Sequence, residues 1–374
     1  MSAEDSSVDQ RPVRIGIVGT GGIAAVHAEN VAQLNGSARI VAAADIDRAR
    51  VEEFARTWGI TATFPDLDHM LSGAELDIVH LCSPPGLHRE QAVAALAMGI
   101  DVLSEKPPAL SLAELDEIIS AESSGGARFA VISQHRFGDR AQWLRGAVDS
   151  GVLGRPLTAV CNTLWYRPDA YFDVPWRGSW EAEGGGPTMG HGIHQMDTLL
   201  SILGPWHEAV AVAARAARAT ETEDVSHAIL TLENGATVSV VNSFLSPRET
   251  SYLRFDFERA TVELEHLYGY TEDSWRFTVA PDASEEERVR LEDEWARGRG
   301  GHGSGHVAQF ARVVDAIRSS SPLPVTSADA RQTLELIAAI YDSAFTGRRV
   351  RRGEIDSSSP FYRSMNGGVP PWQT

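Results

Sequence analysis

The first third of the chain alternates short apolar segments with segments whose apolar residues recur at helical spacing. A continuous apolar strand is typical of a sheet buried on both faces, and intervening helices are typical of parallel strands. The pattern predicts an α/β fold that begins with a doubly wound parallel sheet. The predicted strands are 13–19, 39–45, 76–84, 100–107 and 128–135, and the predicted helices are 23–34, 48–59, 88–99 and 111–123.

Beyond residue 135 strands follow one another without helices, and Asn234-Gly235 is a strong hairpin signal. This predicts an α+β second domain with an open, mostly antiparallel sheet. We expect a first domain at 12–135, a second domain at 136–352 and a loop-like C-terminal tail at 353–374 that would form a surface arm. The predicted strands are 155–166 and pairs within 224–245 and 251–266, and the predicted helices are 284–298, 307–319 and 328–345, with a flexible glycine loop at 298–305.

Composition narrows the class of protein. The 374 residues exceed the roughly 250–300 at which single cores stop growing, so two domains are expected. A net charge of −18 argues against nucleic acid and anionic membranes as partners.

Cys82 and Cys161 lie in apolar runs and are expected to be buried free thiols. The first eleven residues lack a signal-peptide pattern and no apolar run reaches ~18 residues, so we expect a cytoplasmic protein.

A glycine-rich turn, GTGGIA at 19–24, follows the first strand and opens a helix. Gly19 would allow the tight turn, and Gly21 would let the backbone approach a pyrophosphate at the helix N-terminus. Asp45 ends the next strand, where it would bind ribose hydroxyls and repel a 2′-phosphate. The motif predicts NAD as cofactor, while the nearby Arg48 keeps NADP open.

Two further turns, SPPGLH at 83–88 and EKPPAL at 105–110, follow predicted strands. Ligands of doubly wound sheets bind at the carboxyl ends of the strands. Lys106, fixed by Pro107, would there meet a nicotinamide and a substrate hydroxyl. Taken alone, an exposed lysine paired with Glu105 explains the second turn equally well.

The segment EGGGPTMGHGIHQMD, 183–197, joins a glycine run to His191, His194 and Asp197 at spacings of three. Steps of three drift around a helix and no further ligand cluster is evident, so we expect proton transfer here. A metal site, to which His302 and His306 of the glycine loop would contribute, is the alternative. The glycines would let the backbone approach the nicotinamide and substrate, with Gly186-Pro187 opening a helix.

GTGGIA, AAAD, SPPGLH, SEKPPAL, SQHRF and EGGGPTMGHGIHQMD, in this order, resemble the glucose–fructose oxidoreductase / inositol dehydrogenase / MocA (Gfo/Idh/MocA) family over residues 13–350. The resemblance implies a Rossmann domain and an α/β domain with an open, largely antiparallel sheet. It implies NAD(P)-dependent oxidation of a secondary hydroxyl of a sugar, cyclitol or glycoside, or the reverse reduction. It also implies a homodimer or homotetramer paired through the exposed face of the second sheet.

The same resemblance implies roles for individual residues. Lys106 and His194 would be catalytic, with His194 as the base and Lys106 stabilising the developing alkoxide. The aromatic residues of 164–176 would stack on a sugar, with Arg167 and Asp169 for its hydroxyls. The implied cofactor residues are Gly19, Gly21, Gly22, Ile23, Asp45, Ile46, Ser83, Pro84, His88, Glu105, Lys106, Gln134, Trp176 and Arg177, and the implied substrate residues are Arg136, Tyr166, Arg177, His191 and Asp197.

One position departs from the family pattern, which places an aspartate four residues before the catalytic histidine. That position is Gly190 here. We expect the glycine to open space for a bulkier substrate such as a glycoside. The departure leaves two alternatives open: a non-catalytic NAD-binding regulator, and a relative that cleaves glycosides by transient oxidation.

Overall fold

The computed structural model describes residues 11–368 and Trp372. Its first sheet has six parallel strands in the order β3-β2-β1-β4-β5-β6. The strands are β1 Val13–Val18, β2 Ala38–Ala44, β3 Ala62–Phe64, β4 Ile78–Leu81, β5 Asp101–Ser104 and β6 Phe129–Val131. The helices are α1 Gly22–Ala32, α2 Arg48–Trp58, α3 Leu67–Gly73, α4 His88–Ala97 and α5 Leu112–Gly125.

The predicted doubly wound sheet is confirmed, with each of its five predicted strands and four predicted helices present. β3 and α3 were not predicted. β3 has only three residues and none of them is fully buried, so it carries little hydrophobic signal. The strand order reverses at β1, which places the carboxyl ends of β1, β4 and β5 along one open edge.

The second sheet is mixed and has eight strands in the order β13-β12-β11-β7-β10-β9-β8-β14. β7 and β10 are parallel, and the other neighbours are antiparallel. The strands are β7 Pro156–Tyr166, β8 Trp206–Ala214, β9 Val225–Leu232, β10 Thr237–Ser243, β11 Leu245–Phe257, β12 Ala260–His266, β13 Trp275–Val279 and β14 Val350–Arg351. The remaining helices are α6 Asp139–Asp149, α7 Trp180–Glu183, α8 Pro187–Gly190, α9 Gly192–Leu203, α10 Glu285–Arg297, α11 His306–Ser319, α12 Ser327–Thr346 and α13 Pro360–Arg363.

Helices cover one face of this sheet: α9 packs on β7 and β11, and α12 packs on β8. The predicted hairpin is confirmed, because Gly235 has a φ of +88° between the antiparallel β9 and β10. Cys82 and Cys161 are buried free thiols, as predicted. None of the helices in the described ranges is sufficiently long and apolar to cross a bilayer.

The expected surface arm is wrong for the described part of the C-terminal segment. Ile355, Phe361 and Met365 are buried in a hydrophobic core that both domains share, and α13 contacts α5 and α12. The sequence pattern gave no warning, because these three apolar residues are spaced irregularly. The boundaries at residues 135 and 352 remain predictions, and α11 packs against α1 of the first domain. The segment 1–10, on which the expectation of no signal peptide rests, lies outside the described residues.

Candidate active site

The glycine turn after β1 has the shape that a dinucleotide needs. Gly19 has a φ of +81°, and a Cβ there would lie 2.7 Å from the backbone nitrogen of Ser83. A Cβ on Gly21 or Gly22 would meet nothing within 4 Å. The space above the first turn of α1 is therefore open, and the helix presents unpaired N–H groups there, alongside Ile23. The turn fits a bound pyrophosphate.

Asp45 lies at the carboxyl end of β2, beside this turn. Its carboxylate accepts hydrogen bonds from the backbone of Thr20 (2.8 Å) and Asp47 (2.9 Å) and a salt bridge from Arg50 (3.0 Å). Burial opposes ionisation, but these hydrogen bonds and Arg50 outweigh it and lower the pKa of Asp45. The next residue, Ile46, is 91% exposed and offers an apolar surface for an adenine ring.

Arg48, the residue that kept NADP open as a cofactor, forms a salt bridge with Glu52 at 2.7 Å on the exposed side of α2. Arg50, which the sequence analysis overlooked, is the cation that pairs with Asp45. The ionised Asp45 still faces the turn, so a 2′-phosphate would meet a negative charge there.

Lys106 and His194 come from different domains and line one narrow cavity with Ser133, Asp197 and Thr333. Lys106 follows β5, and its Nζ donates a hydrogen bond to the carbonyl oxygen of Gly190 at 2.9 Å. Burial lowers the pKa of Lys106, against the opposing charge of Glu105. Burial and Lys106 together lower the pKa of His194 well below its usual range, so its imidazole is neutral near pH 7.

The predicted substrate residues Asp197 and Arg136 bind each other. Arg136 donates two hydrogen bonds to Asp197, at 2.7 and 2.6 Å, and a third to Asp329 at 3.0 Å. Asp197 also accepts from the hydroxyl of Thr333 at 3.2 Å. Asp197 still borders the cavity of His194, but its charge is already neutralised.

His191 points elsewhere, between Trp165 and Phe244, with ring centroids 4.6 and 4.8 Å away. Its Nε2 lies 3.4 Å from an Arg167 nitrogen. His191, His194 and Asp197 therefore have different surroundings, and they form no group of metal ligands within the described residues. The three side chains do not converge on one point, so their arrangement does not favour the alternative of a metal held by this triplet.

The loop before α7 brings Arg177 to this region. Its guanidinium lies 3.8 Å from the ring centroid of Tyr171 and 4.5 Å from that of Trp176. Tyr166 is 41% exposed and stacks under Arg218, so the structure does not bring it to the cavity of Lys106.

The predicted cofactor residues of the second and third turns differ in their positions. Pro84 is exposed, and Ser83 donates to Gln91 at 2.6 Å. His88 is buried, and its two ring nitrogens lie 2.9 and 2.8 Å from the carbonyl oxygens of Ser83 and Pro107. His88 therefore ties the two turns together. Gln134 has a buried side-chain oxygen with no partner among the described residues, so that oxygen is available to a ligand.

The carboxylate of Glu105, a predicted cofactor residue, is held by a buried histidine and by the backbone of the next residue. Its Oε1 lies 3.0 Å from His27 Nε2, and its Oε2 accepts from the backbone nitrogen of Lys106 at 3.1 Å. His27 Nδ1 lies 3.0 Å from His80 Nδ1. One arrangement of protons satisfies these contacts: His80 donates to His27, which donates to Glu105.

This buried network was not predicted, because His27 and His80 stand in apolar runs. His306, expected in a flexible loop, begins α11 and lies 3.6 Å from Glu105. Ligand atoms of His27, Glu105 and His306 all lie within 4.8 Å of one another. The hydrogen bonds already account for His27 and Glu105, and they fix the backbone that carries Lys106.

A second unpredicted group surrounds the far side of His194. The His135 ring lies 5.1 Å from that of His194 and 5.0 Å from that of His266. Gln195 Nε2 lies 3.1 Å from His266 Nε2. Burial lowers the pKa of His135 to about 4 and that of His266 to about 3, so both rings are neutral. His194 therefore has the charge of Lys106 on one side and the uncharged rings of His135 and His266 on the other.

An open groove of about 690 Å³ lies away from this chemistry, between α6, α11 and the segment before α12. Its lining includes Arg136 but neither Lys106 nor His194, and it carries charges of both signs: Arg136, Arg145, Asp149, Arg312, Asp315 and Asp329. The cavity beside Lys106 and His194 is much smaller, about 10 Å³, which is room for about one water molecule. The titratable groups of the predicted site lie around this small cavity and not around the groove.

Comparisons with known proteins agree with this geometry. Residues 13–133 match the model of an oxidoreductase family with an NAD-binding Rossmann fold, and residues 141–263 match that of the GFO/IDH/MocA C-terminal domain. D-Glucoside 3-dehydrogenase of Escherichia coli K12 is 27% identical over 371 residues, covering 92% of this chain and 99% of the relative. D-Apiose dehydrogenase of Paraburkholderia graminis is 26% identical, with 89% and 88% covered.

Among solved structures, the WlbA dehydrogenase from Bordetella pertussis, in complex with NADH and UDP-GlcNAcA, superposes with a TM-score of 0.80. It is 27% identical, and the match covers 92% of this chain and 99% of that one. Both halves of the chain thus match the same family, as the six quoted motifs predicted. The chain belongs to the Gfo/Idh/MocA family of NAD-dependent oxidoreductases.

Proposed function

We propose that the protein is a dehydrogenase that oxidises a secondary hydroxyl of a sugar, cyclitol or glycoside, with Lys106 and His194 at the reacting oxygen. One observation carries the proposal: these two side chains, from different domains, line one cavity at the carboxyl edge of the parallel sheet. The glycine turn and Asp45 lie along the same edge.

The chemistry divides between cofactor and protein. NAD⁺ bound at the glycine turn supplies the hydride acceptor. His194, neutral because of burial and Lys106, accepts the hydroxyl proton. The Lys106 ammonium stabilises negative charge on the oxygen as the proton leaves. Asp45 favours NAD over NADP, because its ionised carboxylate occupies the place of a 2′-phosphate.

The residues around Lys106 support a polyol substrate. Arg177 and Arg167, whose charges act on Lys106, offer N–H donors for hydroxyls, and Tyr171 and Trp176 support the two guanidinium groups. D-glucoside 3-dehydrogenase and D-apiose dehydrogenase are named for carbohydrate substrates, and UDP-GlcNAcA is a nucleotide sugar. We place the substrate in this class and leave the particular sugar to experiment.

The test is a panel of sugars, cyclitols and glycosides with NAD⁺ or NADP⁺, followed by nicotinamide absorbance. We expect net NADH with at least one substrate. We expect Lys106→Ala and His194→Ala to lower kcat by roughly 10²–10⁴-fold while NAD binding persists. Arg89→Ala, at a partly exposed ion pair on α4, is the matched control. Cleavage of a glycoside without net NADH would instead identify the glycoside-cleaving alternative, and NAD binding with no turnover would support a regulatory protein.

We also propose a homodimer or homotetramer in the cytoplasm. The face of the second sheet opposite its helices carries exposed apolar side chains at Val210, Val212 and Ile229, which are 42%, 63% and 58% exposed. An apolar strip on adjacent strands is typical of a surface that another subunit covers. Light scattering after gel filtration tests the assembly: Val212→Glu should yield monomers, and a monomeric wild-type protein would contradict it. The location is tested by cell fractionation.

A further inference from the structure

Gly190 lies between the ammonium group of Lys106 and the carboxylate of Glu183. Its carbonyl oxygen accepts the hydrogen bond of Lys106 at 2.9 Å. A Cβ on Gly190 would meet a single neighbour within 4 Å among the described residues: Oε1 of Glu183, at 3.7 Å. The space that the sequence analysis expected to be open therefore borders a carboxylate seven residues upstream.

Glu183 is held in this place by its local backbone. It ends the short helix α7, after which Gly184, with a φ of +77°, turns the chain toward α8. Its Oε2 accepts a hydrogen bond from the backbone nitrogen of Gly178 at 2.7 Å. Its Oε1 lies 3.9 Å from an Arg177 nitrogen. The residue is only 4% exposed, so its charge needs partners.

We propose that Glu183 is a positioning residue that stabilises the charge of Lys106, in place of the carboxylate that the family pattern puts at residue 190. This inference rests on the proposed function for its kinetic consequence. It explains Gly190 as well, because an aspartate there would bring two carboxylates into contact in a buried site.

The electrostatics agree with the geometry. Burial lowers the pKa of Lys106, and the charges of Glu105 and then Glu183 oppose it, whereas Arg177 and Arg167 add to it. Burial raises the pKa of Glu183, and Arg177 and Lys106 oppose that shift. Four neighbouring histidines, His88, His135, His191 and His194, have pKa values lowered by burial.

The chain offers a direct way to observe this charge, because Lys106 is its only lysine. Labelling the protein with ¹³Cε-lysine therefore gives one NMR signal whose titration reports the pKa of Lys106, independently of turnover. We expect Glu183→Gln to lower that pKa. Glu181→Gln, an exposed glutamate on the same short helix, is the matched control and should leave it unchanged. An unchanged Lys106 titration in a folded Glu183→Gln variant would overturn the inference.

Kinetics supply the second readout. Glu183→Gln preserves the acceptor for Gly178, so we expect its thermal unfolding and NAD affinity to match the wild type. We expect kcat to fall on the order of tenfold or more, a part of the ~10²–10⁴-fold that positioned proton transfer contributes. The limb of the pH–rate profile that belongs to Lys106 should move to lower pH. Wild-type kcat and pH profile in this variant would contradict the inference.

A double variant that moves the carboxylate from residue 183 to residue 190 tests whether the lost negative charge can be restored. Gly190 does not adopt a positive φ, so Gly190→Asp is sterically allowed. In Glu183→Gln/Gly190→Asp we expect both the Lys106 titration and kcat to recover toward wild type. A folded double variant with the Lys106 titration of the single variant would count against the inference. If Glu183→Gln does not fold, Glu183→Asp keeps the charge but draws it back by one methylene group, so it should lower the pKa of Lys106, and no change in a folded Glu183→Asp variant would argue against Glu183 as the charge partner. Absence of turnover in the wild type would refute the proposed function alone, because the NMR titration would still decide the role of Glu183.

Discussion

Glu223, a buried glutamate that contacts the glycine run 184–186, should make the stability of the folded protein depend on pH. Glu223 is 0% exposed, and its carboxylate accepts hydrogen bonds from Tyr341 (2.8 Å), Gly186 (3.0 Å) and Thr188 (3.1 Å). Burial outweighs these three donors and raises the pKa of Glu223 from 4.5 to about 7. The folded state therefore binds this proton more tightly than the unfolded state does.

The sign and size of the effect follow from that difference. The stabilisation is fully present below pH 4.5 and is lost as the pH rises through about 7. A separation of roughly 2.5 pKa units corresponds to about 3 kcal/mol of unfolding free energy. The buried histidines act in the opposite direction, since their lowered pKa values cost stability in acid.

Glu223→Gln isolates the contribution of the acid, because both proteins share the histidines. In this variant the amide nitrogen of the glutamine would face a backbone N–H donor and cannot accept its hydrogen bond. The variant should therefore have a lower free energy of unfolding than the wild type at every pH. The measurement is the free energy of unfolding from denaturant titrations between pH 4.5 and 8. We expect the advantage of the wild type to shrink by about 3 kcal/mol over this range. A difference that stays constant with pH would refute the reasoning.

The structure also gives the direction of the effect for four further substitutions. Asp45→Asn removes the charge that faces a 2′-phosphate, so the ratio of kcat/KM with NADP⁺ to that with NAD⁺ should rise at least ~tenfold, an effect of about 1.4 kcal/mol. Asp197→Ala leaves Arg136 without its bidentate partner, and denaturant unfolding should show a loss of about 3–5 kcal/mol. Gly186→Ala would place a Cβ 1.9 Å from a backbone oxygen and should lower the melting temperature, whereas Gly146→Ala, at an open site inside α6, should raise it through ~0.5–1 kcal/mol of helix propensity.

The fold and the turn that carries Lys106 were predictable because both have local signals. Continuous apolar strands between helices specify a parallel sheet, and the turns at its carboxyl edge are marked by Gly, Pro and Lys106. The position of Glu105 was not predictable, since neighbouring residues at a strand end point to opposite sides. His27 and His80 belong to the same network but are separated by fifty-three positions, so only the fold brings them together.

Two charged residues that were predicted to bind substrate form a salt bridge with each other, and no local sequence pattern reveals such a pair. Arg136 and Asp197 are sixty-one residues apart and neutralise each other. Glu183 was visible in the sequence as the first letter of the glycine motif. Its spacing of seven from Gly190 would be about two turns of a continuous helix, but Gly184, with a positive φ, ends the helix between them, so the spacing alone does not bring the two residues together. A family pattern locates a missing carboxylate, and the folded backbone is required to find its replacement.

The glycine run has a packing cause that the sequence did not reveal, beside the predicted approach to a nicotinamide. A Cβ on Gly185 would lie 2.2 Å from the hydroxyl of Tyr341, and one on Gly186 would lie 1.9 Å from the backbone oxygen of Glu223. A side chain at either position would therefore collide with the protein itself. Glu223 holds the start of α8, and α8 ends at Gly190, whose carbonyl oxygen accepts the hydrogen bond of Lys106. The buried contact at Glu223 thus helps to place the carbonyl group to which Lys106 binds.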